Sequence, residues 1–218
     1  MKYLNKYLFL FCLLFIYHQS QGQVGLNVSQ FIPNGDLGAY YNSGISTHGF
    51  IVKNKLDGEV RVRFGLLYAK LSPKVDTLSQ YEVDGSGSST LIYPGYVVNH
   101  SLTIYEILTD LSYRVIHKNN LSYYAGFGYG GGLAKESYFK AIETRPDDNG
   151  EQGYLIFGLG VNTSLEYKLN EKLDVFCEGK YMYNLRLEGS YNYTYYTIGV
   201  GINFFINRDN DNIKEEND

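Results

Sequence analysis

The chain has 218 residues, 44% of them hydrophobic and 16% aromatic, with 23 tyrosines, no tryptophan and a formal net charge of -4. No basic patch exists to neutralise phosphates, which excludes a nucleic-acid-binding protein. Two cysteines cannot build a disulfide scaffold, and beyond residue 22 no run of about 18 apolar residues could form a membrane-spanning helix.

The amino terminus reads as a secretory signal peptide over residues 1–22. Lys2 and Lys6 precede an apolar run from Tyr7 to Tyr17, and small residues stand at Ser20 and Gly22, so cleavage would expose Gln23. The apolar run is too short to cross about 30 Å of hydrocarbon as a helix. Cys12 follows the bulky Phe11 inside that run, which argues against lipid attachment. Removing the segment leaves Cys177 as the single cysteine, so the scaffold depends on strand pairing and packing.

From there apolar and polar residues alternate with period two, the mark of half-buried strands. Strands are predicted at 24–32, 43–53, 58–72, 98–116, 121–138, 154–168, 173–188 and 192–206. Short polar connections at 54–57, 117–120 and 169–172 alternate with longer ones at 33–42, 73–97 and 139–153 and a small one at 189–191. The expected fold is all-β: an eight-stranded antiparallel up-and-down transmembrane β-barrel over residues 23–206. Pro33, Pro73, Pro94 and Pro146 all fall in the longer connections, where a missing ladder donor does no harm. In the last strand Tyr196, Ile198, Val200, Ile202, Phe204 and Ile206 share one face, and Tyr195, Thr197, Gly199, Gly201, Asn203 and Phe205 the other. An even strand count returns both ends to one side, and residues 207–218, rich in Asn, Asp and Glu, read as a disordered acidic tail there.

Strand parity assigns each charge a side. With Val60, Val62, Phe64, Leu66 and Tyr68 facing lipid, Glu59, Arg61 and Arg63 face the lumen. The fourth strand likewise sends Glu106, Asp110 and Arg114 inward, the sixth Glu166, and the seventh Glu178, Lys180, Arg186 and Glu188. The reverse register would place these charges in lipid, at about 2–4 kcal/mol for each Arg or Lys near the midplane. An eight-stranded barrel is only wide enough for side chains to fill, so near-balanced charges there are expected to pair as a plug. A narrow ion path or gate is the alternative.

Other motifs have plain structural readings. His100 and Ser101 are neighbours in a strand and therefore point to opposite faces, unlike a nucleophile and its base. His48 and His117 lie too far apart in this topology to share a metal, and Asp147, Asp148 and Glu151 lack the ligand spacing of a calcium loop. Gly126, Gly128, Gly130, Gly131 and Gly132 suit close packing and coiling in a small barrel rather than phosphate binding. The connection 73–97, with Asp84, Gly85 and Tyr93, is expected to project as a hairpin and is the candidate interaction loop.

Several stretches together resemble the small outer-membrane β-barrel family of Bacteroidota, including PorT-like proteins, and more distantly the OmpX and OmpA barrels. They are Gly25-Leu26-Asn27-Val28-Ser29, Tyr105-Glu106-Ile107-Leu108, the glycine-rich Tyr124–Gly131 and the terminal Gly-x-Gly-x-Asn-Phe strand. Thr197, Gly199, Ile202 and Phe204 look like the insertion signal by which barrel assembly machinery recognises a last strand. The resemblance implies an outer-membrane location with both termini periplasmic. Some members take part in the type IX secretion apparatus.

The functional expectation is a non-enzymatic structural or interaction protein, without cofactor or metal, working through its outer loops. Its expected partners are outer-membrane lipid, the assembly machinery during insertion, and an extracellular or periplasmic protein. The alternatives are a PorT-like secretion accessory, a lipid-modifying enzyme, and a secreted lipocalin-like binder. The last would invert the barrel, with apolar residues inside and charges outside.

Overall fold

The computed structural model describes residues 22–55, 59–74, 77–79, 82–83, 89–90, 95–142, 145–187 and 192–206. Eight long strands are present: β1 (Gly22–Asn34), β2 (Gly44–Lys55), β3 (Val60–Leu71), β4 (Gly95–Lys118), β5 (Leu121–Ile142), β6 (Arg145–Lys168), β7 (Leu173–Arg186) and β8 (Tyr193–Ile206). Every strand pairs antiparallel with its sequence neighbour. The ends close through β1 and β8, from Gly22↔Ile206 to Asn34↔Thr194. The sheet is thus an up-and-down barrel without a free long edge, which removes the row of unpaired amides that an open sheet presents.

Alternation sets the two faces of the wall. Phe127 and Leu159 are each 71% exposed on the outside, while their neighbours Gly128 and Gly160 line the inside. Every strand contributes exposed apolar residues outward, among them Leu26, Ile45, Leu66, Leu111, Phe127, Leu159, Leu185 and Val200. Exposed Tyr113 and Tyr167 stand near the short turns, and Tyr68 and Tyr105, with ring centroids 5.3 Å apart, stand toward the long connections.

β1, β4, β5 and β6 outrun their predicted ends, whereas β3 stops short of the expected 58–72. β5 and β6 continue through the connection expected at 139–153, and the ladder runs to Ile142↔Arg145. Pro146 is therefore inside β6 and Pro33 inside β1, not in loops as expected. Pro146 falls where the β5–β6 register shifts, between Lys140 and Ile142, so its missing N–H breaks no regular rung. Residues 35–42, expected as loop, contain a one-turn helix, α1 (Gly35–Tyr40), entered through Gly35 at φ 58°. Six residues are too few to show a helical period, and Asn34 makes no side-chain cap, so the sequence carries no mark of it.

In the connection 73–97, Thr77–Ser79 extends the barrel wall by pairing with Tyr96–Val98, and Glu82–Val83 pairs with Ser89–Thr90. Asp84, Gly85 and Tyr93 lie outside the described residues, as do the expected signal peptide up to residue 21, Glu188 and the tail 207–218.

Glycines on the inner face let strands approach where a side chain could not fit. A Cβ on Gly132 would stand 2.8 Å from Glu106 Cα and 2.9 Å from the Tyr105 carbonyl carbon, both backbone atoms that cannot move aside. Gly49, on the outer face, has nothing within 4 Å of its Cβ position. Gly132→Ala is expected to lower stability by about 1–3 kcal/mol, the usual cost of overpacking, and Gly49→Ala to leave it unchanged. Urea midpoints of the refolded barrel measure both.

Candidate functional site

The interior is stratified along the barrel axis. In the half nearer the chain termini and short turns, Arg61 Nη1 meets Glu166 Oε2 at 2.5 Å, Arg63 pairs with Glu178, and Lys180 Nζ meets Asp110 Oδ2 at 2.7 Å. All six of these side chains are buried. Period-two alternation aims them inward, and closure of the sheet then brings together residues far apart in sequence. Each pair spans non-neighbouring strands, joining β3 to β6, β3 to β7, and β7 to β4.

Neutral polar groups complete the bracing. Asn203 Nδ2 donates to Glu166 Oε1 at 2.8 Å, Asn27 Nδ2 to Glu178 Oε1 at 3.3 Å, and Ser112 Oγ to Asn162 Oδ1 at 2.8 Å. Aromatic rings take up the guanidinium faces. Arg61 lies 3.8 Å from the Tyr124 ring centroid, and Arg63 lies 4.4 Å from Phe50 and 5.2 Å from Phe176. A weakly hydrated, planar cation is suited to this mixed lining.

Toward the long connections the lumen becomes apolar. Phe31, Leu67, Ala69, Leu71, Leu102, Ile104, Leu108, Ala134, Ile156, Met182 and Tyr195 form one buried cluster, and Leu37 of α1 and Tyr41 close it from above. The helix is held over the mouth by Lys74 N donating to Tyr40 O at 2.8 Å and Lys74 Nζ to Gly38 O at 2.5 Å. Between the two layers sits Glu106, which accepts from Tyr195 Oη at 2.6 Å and Asn184 Nδ2 at 3.4 Å.

The remaining sequence candidates fall in varied places. Glu59 is not in the lumen: it occupies the turn before β3, is exposed, and uses its carbonyl oxygen to accept from Arg114 N at 2.7 Å. Inward parity does not reach it because the turn ends the strand's alternation. Arg114 is half-buried beside the β4 register shift at Arg114/Ile116. Arg186 stacks on Tyr154 at 3.0 Å from the ring centroid, in a cation–π contact. On β8, Thr197 and Gly199 face inward while Ile202 and Phe204 face outward.

Ser101 shares a 3.0 Å hydrogen bond with Ser137, and His117 one of 2.9 Å with Ser122. His48 is buried against Phe50, 4.9 Å between ring centroids. Among the described residues no three His, Cys, Asp or Glu side chains gather as metal ligands.

Two contributions escaped the sequence reading. Asp174 is buried in the lumen, and its parity, the same as that of Glu178, was the signal for it. Glu136 accepts from Tyr193 Oη at 2.9 Å and likewise shares the parity of the inward glycines of β5.

The architecture has solved counterparts. Neisserial surface protein A is similar with a TM-score of 0.54 at 15% identity, over 84% of this chain and 96% of that one. Ail, the attachment invasion locus protein of Yersinia pestis, is similar with a TM-score of 0.47 at 11% identity, over 85% of this chain and 98% of that one. No family model and no curated protein matches the sequence.

Lys180→Met leaves the Asp110 carboxylate buried without its cation, and a loss of about 3–5 kcal/mol is expected. The double variant Lys180→Met with Asp110→Leu removes both charges and should regain most of that loss. Urea unfolding of the singles and the double forms the cycle, and a double as unstable as the single would show that the pair does not act as a unit.

Proposed function

We propose that the chain is an outer-membrane barrel whose lumen is closed and which serves as a non-enzymatic structural or interaction protein through its long connections. The observation that carries this reading is the combination of an apolar outer belt with an interior filled by cross-lumen ion pairs below and an apolar layer above. Outward apolar stretches such as Tyr196–Ile206 have the length, about 9–11 residues, that a tilted strand needs to cross hydrocarbon. Tyrosines toward both ends of the belt fit the water–lipid boundaries. A lipocalin-like binder would need the opposite distribution, a charged exterior around an apolar cavity.

In this reading the segment 1–22 directs export, the termini and short turns face the periplasm, and the β8 residues Thr197, Gly199, Ile202 and Phe204 engage the assembly machinery. The connection carrying the paired Glu82–Val83 and Ser89–Thr90 presents the surface for an extracellular protein, with Asp84, Gly85 and Tyr93 as its candidate contacts. A PorT-like secretion accessory, acting instead through the periplasmic turns and residues 207–218, is the finer alternative within the same barrel class.

Planar-bilayer recordings of the purified protein should give no steady unitary conductance, and its gel mobility should change on boiling. Steady conductance would overturn the closed lumen. Loss of partner capture on deleting 80–92, with deletion of 207–218 harmless, supports the loop reading, and the reverse result supports the accessory. Val200→Arg, on the lipid face at 62% exposure, is expected to cost about 2–4 kcal/mol for folding into vesicles if it lies near the midplane.

A further inference from the structure

The apolar outer belt is not evenly filled. On β7 the outward positions Cys177 and Gly179 form the floor of an open groove of about 590 Å³. Strand register sets its banks. Cys177 is paired with Leu165 on β6 and Val200 on β8, Gly179 with Thr163 and Ile198, and Tyr123 of β5 stands one strand beyond Leu165. Leu165, Ile198 and Val200 are large and exposed, whereas Gly179 has no side chain, so the banks rise above the floor. A Cβ on Gly179 would meet only Thr163 Cγ2, at 3.6 Å, an ordinary contact. Unlike the inner glycines, this one is not imposed by a close approach, and it leaves open volume on the outside.

Followed along β7, the groove points to the turn 169–172, past the half-buried outward residues Val175 and Leu173. That end is basic. Lys172 is exposed in the turn, and Lys168 N donates to Asn120 O at 2.8 Å, which joins this turn to the neighbouring one. There Lys118 is exposed and in register with Leu121 and Tyr167 of the outer face. The three lysines stand with one acid, Glu171, so three positive charges against one negative leave a surplus of two. The seven residues from Gly179 to Lys172 span about 23 Å of strand. At a tilt of about 45° this is a depth of about 16 Å, close to one leaflet of a hydrocarbon core about 30 Å thick.

We propose that the groove holds an acyl chain of an anionic phospholipid from the leaflet on the short-turn side, with its phosphate at Lys168 and Lys172 and with Lys118 beside it. The inference rests on reading the apolar belt as lipid-facing and adds one preferred lipid to it. A lysine ammonium is a compact charge with three donors and suits a phosphate oxygen at a membrane border. The surplus positive charge favours an anionic headgroup over a zwitterionic one, which brings a cation of its own. A second copy docked on this face about an axis along the membrane normal would set the same lysines against each other, and like charges oppose it.

The test is native mass spectrometry of the protein transferred into mild detergent from vesicles of phosphatidylglycerol and phosphatidylcholine, together with photocrosslinking by a phosphatidylglycerol bearing a diazirine in its acyl chain. Phosphatidylglycerol is expected to stay bound in preference to phosphatidylcholine, and the label to concentrate on Leu165, Cys177, Ile198 and Val200. Gly179→Leu fills the groove and should lower the retained lipid several-fold, while Gly49→Leu, at an outward glycine of β2 with open space around it, leaves retention unchanged. Lys168→Gln with Lys172→Gln should remove the preference between the two headgroups. The crosslinking map needs no variant, so it stands should a substitution prevent refolding. Label spread evenly around the belt, equal retention of the two lipids, or Gly179→Leu behaving like Gly49→Leu would each overturn the proposal. A dimer covalently joined through Cys177 under mild oxidation would overturn it in favour of a second copy on this face. A heat-modifiable barrel that retains no lipid overturns this inference alone, whereas a protein soluble without detergent overturns the lipid-facing belt beneath it.

Discussion

The structure depends on closure of the sheet, achieved where β1 meets β8 at one seam and β3 meets β4 between the two longest-separated neighbours. Closure satisfies both edges of every strand, and it divides all alternating side chains into an outside and an inside. After that division the composition of each face is no longer free. The outside presents Leu, Ile, Val, Phe and Tyr, and the inside must be filled by whatever the same strands carry at alternate positions.

That filling is not uniform, and its two layers work by different physics. The apolar layer from Phe31 to Tyr195 gains from removing hydrocarbon from water and asks little of geometry. The charged layer gains little net energy from burial, because desolvation of each ion offsets much of the attraction. What the ion pairs add is directional. Arg61–Glu166, Arg63–Glu178 and Lys180–Asp110 each join strands that do not touch in the sheet, so they brace the barrel across its diameter. The hydrogen bonds from Tyr195 and Asn184 to Glu106 continue the bracing into the boundary between the layers.

The glycines of β5 and β6 connect the wall to its contents. Gly126 and Gly132 permit close approach to the backbone of β4, whereas Gly128, Gly130 and Gly158 yield their side-chain volume to Asp110, Glu106 and Asn184. The charged residues of β4 and β7 therefore have room to lean across the interior because β5 and β6 have nothing there. Small and large residues on facing strands are complementary at this level, as a barrel of eight strands requires.

Strand alternation, the eight strands and the outward facing of residues such as Ile198 and Leu159 were legible in the sequence, since a period of two is a local property of the chain. Strand ends were less so: β5 and β6 extend past the expected loop because pairing between them sustains residues whose own pattern is weak. The helix α1 left no periodic signal, whereas the apolar layer it covers did leave one: Leu102, Ile104 and Leu108 alternate in step with Glu106 and Asp110, a parity the sequence reading followed only for the charges. Parity gave Arg61 and Glu178 a side but not a partner. Arg61 meets Glu166 and Arg63 meets Glu178 across gaps of 105 and 115 residues, set by the register of every intervening strand and by the curvature that brings opposite walls together. The sequence by itself determined which residues alternate and hence which face they share, because that is fixed within a few residues of chain. Only the closed tertiary structure decided which charges meet and where the lumen turns apolar, because those depend on distances across the barrel.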